Sequence, residues 1–348
     1  MVNAAVVGYG YAGQAFHSYL IGLAEGLDLY AISTRSPERQ QIAAEQHPEA
    51  RIYGSIDDLL ADDQVDLVTI ATPHDTHRDL AIRAMDASKH VVVDKIMCMN
   101  AQEAEDMIEA SQRNQVMLSV FHNRRWDWDY LTVKKVIADG LLGEPYLFQA
   151  AIMRYGGPRG WRGVKAQSEG ILYDWPAHFV DQALQLVPSD AASVYCQIKY
   201  RDRWPVDIGN YAKLLIHFAN DVTYEIEIGN LAAVDKPRWY VAGDLGALVK
   251  TGLDPQEDPM RLGDIDAAEE DPANRARVTT MVHGEKETLV IDSVRGTWKS
   301  YYQNISDVLN EGSELIVKPE QVYRAMRVYD AAMRSAETDQ VVPFDEVK

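Results

Sequence analysis

Residues 4–13 read Ala4-Ala5-Val6-Val7-Gly8-Tyr9-Gly10-Tyr11-Ala12-Gly13. A short apolar run enters Gly8-x-Gly10-x-x-Gly13. The apolar positions that follow (Ala15, Phe16, Tyr19, Leu20, Leu23) are spaced as on a helix. Strand, glycine turn, helix is the context in which this glycine pattern carries meaning. Gly8 permits the tight turn. Gly10 lets backbone approach a pyrophosphate, and Gly13 lets helix and strand pack closely, with Tyr11 and Ala12 on the loop between. The open N–H groups of the helix start complement phosphate charge. A glycine turn in some other strand–helix unit is the plainer reading, but the flanking pattern favours a dinucleotide site.

Working outward, strands are expected at Ala4–Val7, Leu29–Ser33, Leu67–Ala71, His90–Asp94 and Met117–Phe121, with helices near 37–46, 76–87 and 101–113. Strands separated by helices of that length imply a doubly wound parallel sheet, and the continuous apolar runs suit strands covered on both faces. From about residue 145 the rhythm becomes strand after strand: Pro145–Arg154, Ala192–Arg201, Tyr211–Phe218, Thr223–Gly229, Arg238–Ala242, Ala247–Thr251, Val278–Val282 and Glu287–Ile291. One helix interrupts near 174–186, and two close the chain near 298–310 and 319–335. This predicts an α/β chain with an N-terminal Rossmann domain, residues 1–122. The second domain, residues 123–348, is α+β with an open, mostly antiparallel sheet, and the C-terminal helix packs back on the first domain. The acidic stretch 254–277 reads as a solvated excursion.

The 348 residues carry a formal charge of −19, which argues against nucleic acid as partner. No apolar run has membrane-helix length, and Met1 leads straight into the first strand without a basic leader. Cys98 and Cys196 lie far apart without a C-x-x-C, the pattern of reduced thiols in a cytoplasmic protein. The open second sheet is expected to leave an apolar face that a partner subunit covers, giving a homodimer or homotetramer.

Three segments carry chemistry. Thr72-Pro73-His74-Asp75-Thr76-His77 follows the third strand, at the sheet edge where ligands lie in this fold. Asp94-Lys95 ends the next strand at the same edge; a lysine beside a nicotinamide favours loss of a substrate hydroxyl proton. In Gly170-Ile171-Leu172-Tyr173-Asp174-Trp175-Pro176-Ala177-His178, Asp174 and His178 share a face if the helix begins at 174. A histidine is then a general base that a carboxylate orients. The plainer reading makes Asp174 a helix cap and His178 a structural residue. The second strand ends Ser33-Thr34-Arg35 without an acid to hold a ribose diol. Hydroxyls and an arginine suit a 2′-phosphate, so NADP(H) is favoured and NAD(H) is the alternative. Arg124, Trp161 and Arg162 fall in locally basic, aromatic stretches suited to a sugar or polyol, where tryptophan stacks and arginine hydrogen-bonds. The pattern holds no metal-ligand set.

Gly8-x-Gly10-x-x-Gly13, Thr72-Pro73-x-x-x-His77, Asp94-Lys95 and Gly170-x-Leu172-x-Asp174-x-x-x-His178 together resemble the glucose–fructose oxidoreductase/inositol dehydrogenase (Gfo/Idh/MocA) family. The resemblance implies a nicotinamide-binding first domain, a second sheet domain that often forms the oligomer face, and redox chemistry on a secondary hydroxyl of a sugar, sugar derivative or inositol. Lys95, Asp174 and His178 match the family's catalytic lysine, aspartate and histidine. They imply that His178 takes the hydroxyl proton, Asp174 orients it and Lys95 stabilises the alkoxide. Which of Lys95 and His178 is the immediate acid–base stays open. The family also contains glycoside hydrolases that use tightly held NAD, and a non-catalytic nucleotide sensor is a third reading. The sequence departs from the family at Ile96 (usually proline), at Glu169 (usually the first of two glycines) and at Trp175-Pro176 (usually a glycine after the aspartate). Trp175 then lies beside the base and reshapes the substrate pocket.

Overall fold

The apolar run ahead of the glycine turn is strand β1 (Val2–Val7) of a six-stranded parallel sheet. Its companions are β2 (Leu27–Ser33), β3 (Arg51–Tyr53), β4 (Leu67–Ile70), β5 (His90–Val93) and β6 (Leu118–Val120). The order β3-β2-β1-β4-β5-β6 reverses direction between β1 and β4. That reversal opens a crevice at the carboxyl ends of the strands. Val91, Val92 and Val93 are wholly buried, as a sheet covered on both faces requires. The helices Pro37–Gln46, His77–Asp86 and Ala101–Asn114 lie within a residue of the expected spans. The three-residue β3 and the helix Ile56–Leu60 are too short to show a period and were not anticipated.

One local difference matters for the site. Residues Gly13–Ser18 wind as a wide π-type turn before the helix tightens at Tyr19–Ile21. A wider turn rotates the buried face, so His17 points inward with 0% exposure and Leu23 faces out.

In the computed structural model, which describes residues 1–346, the chain divides into two compact units. The first takes in Met1–Asn123, Met260–Asp264 and Trp298–Tyr323. The second takes in Arg124–Pro259, Ile265–Thr297 and the described residues from Arg324. The helix Lys299–Glu311 therefore belongs with the parallel sheet. The Tyr301 hydroxyl lies 3.0 Å from Ser119 Oγ, and Ser306 donates to the Glu25 carbonyl at 2.5 Å.

The second unit holds a nine-stranded sheet: β7 (Pro145–Met153), β8 (Ala191–Lys199), β9 (Tyr211–Phe218), β10 (Thr223–Gly229), β11 (Trp239–Gly243), β12 (Gly246–Lys250), β13 (Ala276–Thr280), β14 (Glu287–Ile291) and β15 (Val342–Pro343). The order is β14-β13-β12-β11-β7-β10-β9-β8-β15, and every pair is antiparallel except β7–β10. Ala212, Leu214, Ile216 and Phe218 of β9 face the core, and the helix Pro176–Leu186 packs on β10. The opposite face of β9 and β10 is not the apolar surface expected. Lys213 pairs with Glu225 at 2.6 Å, and the Tyr211 hydroxyl donates to Glu227 at 2.6 Å.

The acidic stretch is also only partly solvated. Asp254, Gln256, Met260, Ile265 and Ala268 are buried. Asp254 Oδ2 accepts the Trp128 N–H at 2.7 Å, pinning the start of the stretch to the helix Trp128–Ala138. Cys98 and Cys196 are buried thiols, and burial pushes the Cys196 thiol up to about 12. Among the described residues, no helix is long and apolar enough to cross a membrane.

Candidate active site

The glycines build the crevice differently. Gly8 sits at φ +97°, and a Cβ there would lie 2.4 Å from the Ala71 carbonyl oxygen; a Cβ on Gly13 would lie 1.9 Å from the Gly8 carbonyl oxygen. Both positions exclude any side chain. A Cβ on Gly10 would meet only Arg39 Nη1, at 3.7 Å. That open backbone face fits a dinucleotide pyrophosphate, with a guanidinium already beside it. Tyr11 is exposed, and Arg261 lies over its ring at 5.8 Å. Ser33 and Thr34 are buried under the loop, whereas Arg35 is exposed. Arg39 is the residue the sequence reading missed. It sits in the first turn of the helix Pro37–Gln46 and donates its N–H to the Ser36 cap at 3.3 Å. A cation three residues past a helix cap, next to a glycine turn, was the available signal.

The loop after β4 and the end of β5 are tied together. Thr72 Oγ1 lies 2.7 Å from Thr76 Oγ1, and Thr76 Oγ1 donates to the Pro73 carbonyl at 2.7 Å. His77 is wholly buried, with Nδ1 2.8 Å from the Ile96 carbonyl and Nε2 2.9 Å from the Thr72 carbonyl. It clamps the two loops rather than facing the crevice, and burial lowers its pKa. His74, with ring centroid 5.6 Å from that of His77, is buried as well. Asp94 Oδ1 accepts the N–H of Lys95 at 2.8 Å, and the Lys95–Ile96 peptide bond is cis. Burial alone would raise the Asp94 carboxyl. The His17 ring, whose Nε2 lies 3.6 Å away, together with Lys95 and His77, outweighs burial and holds it below the ordinary carboxylate range.

In the second unit Asp174 does not start a helix. It lies between the tight turn Ile171–Tyr173 and the helix Pro176–Leu186, at φ −94°, ψ −103°. Trp175, not Asp174, is the residue before the helix, and it makes no side-chain cap. Pro176 in the first turn displaces the start by two residues, so the shared helical face expected for Asp174 and His178 is not how they are placed. Instead Asp174 lies within ion-pair reach of Arg154 (3.8 Å) and Arg162 (3.9 Å). Glu169 and Gly170 both adopt positive φ, +56° and +116°, so a glutamate holds the backbone that a glycine would take more readily. The buried Arg124 stacks on Trp175 at 4.3 Å and pairs with Asp127 (3.1 Å) and Glu257 (3.3 Å). The rings of Trp175 and the buried His178 are 6.3 Å apart. Arg162 folds over its neighbour Trp161 at 4.6 Å. Asp127, Asp129 and Asp254 bring carboxylate oxygens within 4.8 Å of one another. Arg124 and Arg238 stand against that charge: Arg238 Nε lies 3.0 Å from Asp129, which also accepts the Trp239 indole N–H at 2.8 Å.

Residues 2–122 match the family described as oxidoreductase family, NAD-binding Rossmann fold, and residues 130–249 match the GFO/IDH/MocA C-terminal domain. The chain is 30% identical to scyllo-inositol 2-dehydrogenase (NADP(+)) IolW of Bacillus subtilis over 99% of this chain and 96% of that protein. The chain belongs to the Gfo/Idh/MocA family. The chain is also 34% identical to the uncharacterized oxidoreductase YdgJ of Escherichia coli, over 96% of each chain. The solved structure of yvaA from Bacillus subtilis superposes with a TM-score of 0.91 at 28% identity, covering 98% of each chain. One from Klebsiella pneumoniae gives 0.87 at 31% identity over 99% of this chain and 96% of that one. This Gfo/Idh/MocA protein is thus an NAD(P)-dependent oxidoreductase, and its open Gly10 face fits that cofactor.

Proposed function

We propose that the protein oxidises a secondary hydroxyl of a sugar, sugar derivative or inositol, or reduces the matching ketone, with NADP(H) preferred. The observation that carries this is Lys95 leaving β5 at the carboxyl edge of the sheet, where the glycine turn and the Thr72 loop also end. The name of the Bacillus subtilis relative, an NADP(+)-dependent scyllo-inositol dehydrogenase, supports both substrate class and cofactor.

Bound nicotinamide supplies the hydride acceptor or donor. The chain's own residues do the rest. The Lys95 ammonium stabilises the negative charge that grows on the substrate oxygen. His178 takes or returns the hydroxyl proton. Asp174, flanked by Arg154 and Arg162, orients His178 from ahead of the helix rather than along a shared helical face, and Arg124 holds Trp175 as an apolar wall for a sugar ring. Arg35 and Arg39, with no acid at the end of β2, suit a 2′-phosphate.

The test is a panel of inositols, aldoses, ketoses and sugar acids, read by reduced-nicotinamide absorbance with both cofactors. Turnover of at least one cyclic polyol or sugar is expected. Lys95→Ala and His178→Ala should each lower kcat by about 10²–10⁴-fold in folded protein, and the double variant should lose little more. Wild-type turnover in both single variants would overturn the assignment.

A further inference from the structure

Behind the glycine turn lies a buried polar chain that the proposed chemistry does not yet use. His17 would be an apolar residue by default, at 0% exposure on the first helix. Instead its Nδ1 lies 2.8 Å from the Tyr302 hydroxyl, which in turn is 3.2 Å from Thr69 Oγ1. The arrangement that satisfies all three groups has Thr69 donating to Tyr302 and Tyr302 donating to Nδ1. The ring hydrogen then resides on Nε2, which faces Asp94 Oδ1 at 3.6 Å. Phe121 packs against the ring, with centroids 4.5 Å apart, and fixes its plane. Asp94 Oδ1 also accepts the N–H of Lys95. Three separate segments, β4, the helix Lys299–Glu311 and the first helix, thus converge on the carboxylate at the root of Lys95, all within the first unit.

We propose that His17 is a positioning residue for Lys95, acting by holding the Asp94 carboxylate that anchors the Lys95 backbone as β5 ends. An ionised carboxylate in a nearly buried position needs compensating donors. The titratable or charged groups facing Asp94 are His17 on the first helix, Lys95 after β5 and His77 on the helix His77–Asp86, with Tyr302 beyond His17. Of these, Lys95 is the group to be placed and His77 has both ring nitrogens turned to backbone carbonyls. Burial keeps the Tyr302 phenol protonated, so its donor role persists through neutral pH. This inference rests on Lys95 acting at the substrate oxygen.

The test compares His17→Leu, His17→Gln and Tyr302→Phe, with Lys95→Ala as reference. Turnover of scyllo-inositol with NADP⁺, or of the fastest panel compound, is followed against pH. NADPH affinity is measured by calorimetry, and the His17 tautomer by long-range proton–nitrogen NMR of the cofactor-free protein. His17→Leu should lose about tenfold or more in kcat, with NADPH affinity little changed. The acid limb of its pH profile should move upward, because Asp94 loses the ring N–H that faces it and favours its ionised form. His17→Gln keeps an N–H donor and should recover most of both. Tyr302→Phe should shift both in the same direction by less, and it decides the matter if the leucine variant fails to fold. The wild-type ring should carry its hydrogen on Nε2. An Nδ1–H tautomer overturns the proposal. So do wild-type kcat and pH profile in the His17 and Tyr302 variants alongside an inactive Lys95→Ala, and so does a kcat loss explained wholly by weaker NADPH binding. Full turnover in Lys95→Ala removes the assignment of Lys95 itself, and this inference with it.

Discussion

Replacing Arg39 by alanine should weaken NADPH binding more than NADH binding. Its Nη1 stands 3.7 Å from the Cβ position of Gly10, on the face left open for a ligand. Two unit charges about 4 Å apart in water attract by about 1 kcal/mol. A ribose 2′-phosphate carries close to two negative charges, so losing the guanidinium should cost about 1.5–2 kcal/mol, about ten- to thirtyfold in Kd. Arg39 is exposed, so this attraction is screened. The screening length shrinks from about 10 Å at 0.1 M salt to about 3 Å at 1 M, and most of the difference between wild type and variant should vanish over that range. Calorimetry with both cofactors at both salt concentrations measures every quantity. Arg35→Ala, on the loop at the end of β2, should produce a loss of the same sign. Equal weakening of NADH and NADPH would show that Arg39 serves the shared pyrophosphate or the turn rather than a 2′-phosphate. An NADPH affinity unmoved by either variant would remove the physical case for NADP(H) preference.

Burial, with the nearby charge of Asp129, raises the Asp254 carboxyl from 3.8 to about 6. A carboxyl raised on folding stabilises below its unfolded pKa, and that contribution is lost as pH climbs through the folded value, here about 3 kcal/mol between about pH 4 and pH 6. Denaturant unfolding of wild type and Asp254→Asn should therefore diverge by about that amount across this window, with the variant gaining relative stability at neutral pH; a pH-independent difference would contradict it. Arg125 and Asp181 form a buried two-point pair, with Nε–Oδ2 at 2.8 Å and Nη2–Oδ1 at 2.6 Å. Arg125→Leu leaves an uncompensated buried carboxylate and should cost about 3–5 kcal/mol, much of it recovered in the Arg125→Leu/Asp181→Leu double variant. A homodimer or homotetramer is expected by light scattering. Because the outer face of β9 and β10 carries Lys213–Glu225 and Tyr211–Glu227, assembly through it should weaken in high salt; a monomer at low salt would rule it out.

The sequence by itself determined whatever is carried by local periodicity and local sterics. The strands Tyr211–Phe218, Thr223–Gly229 and Glu287–Ile291 and the helix Pro37–Gln46 were legible to the residue, because alternation and capping are properties of neighbours in the chain. So was the glycine turn, since Gly8 and Gly13 answer to backbone atoms a few ångströms away. Lys95, Asp174 and His178 were singled out as candidates through their order along the chain.

Tertiary structure decided what depends on residues distant in sequence. Asp174 finds its ion-pair partners in Arg154 and Arg162, 20 and 12 residues before it, rather than in the helix that follows. The π-type turn at Gly13–Ser18 turns His17, not an apolar residue, toward Tyr302, which lies 285 positions along the chain. The acidic stretch begins buried because Asp254 finds the Trp128 N–H, 126 residues before it. The outer sheet face is ion-paired because Lys213 and Glu225 become neighbours only when β9 and β10 take their register. A single chain reading weighs each charge against its own neighbours. The energy of a buried charge is set by the groups that packing brings to it, and those are known only once the fold has closed.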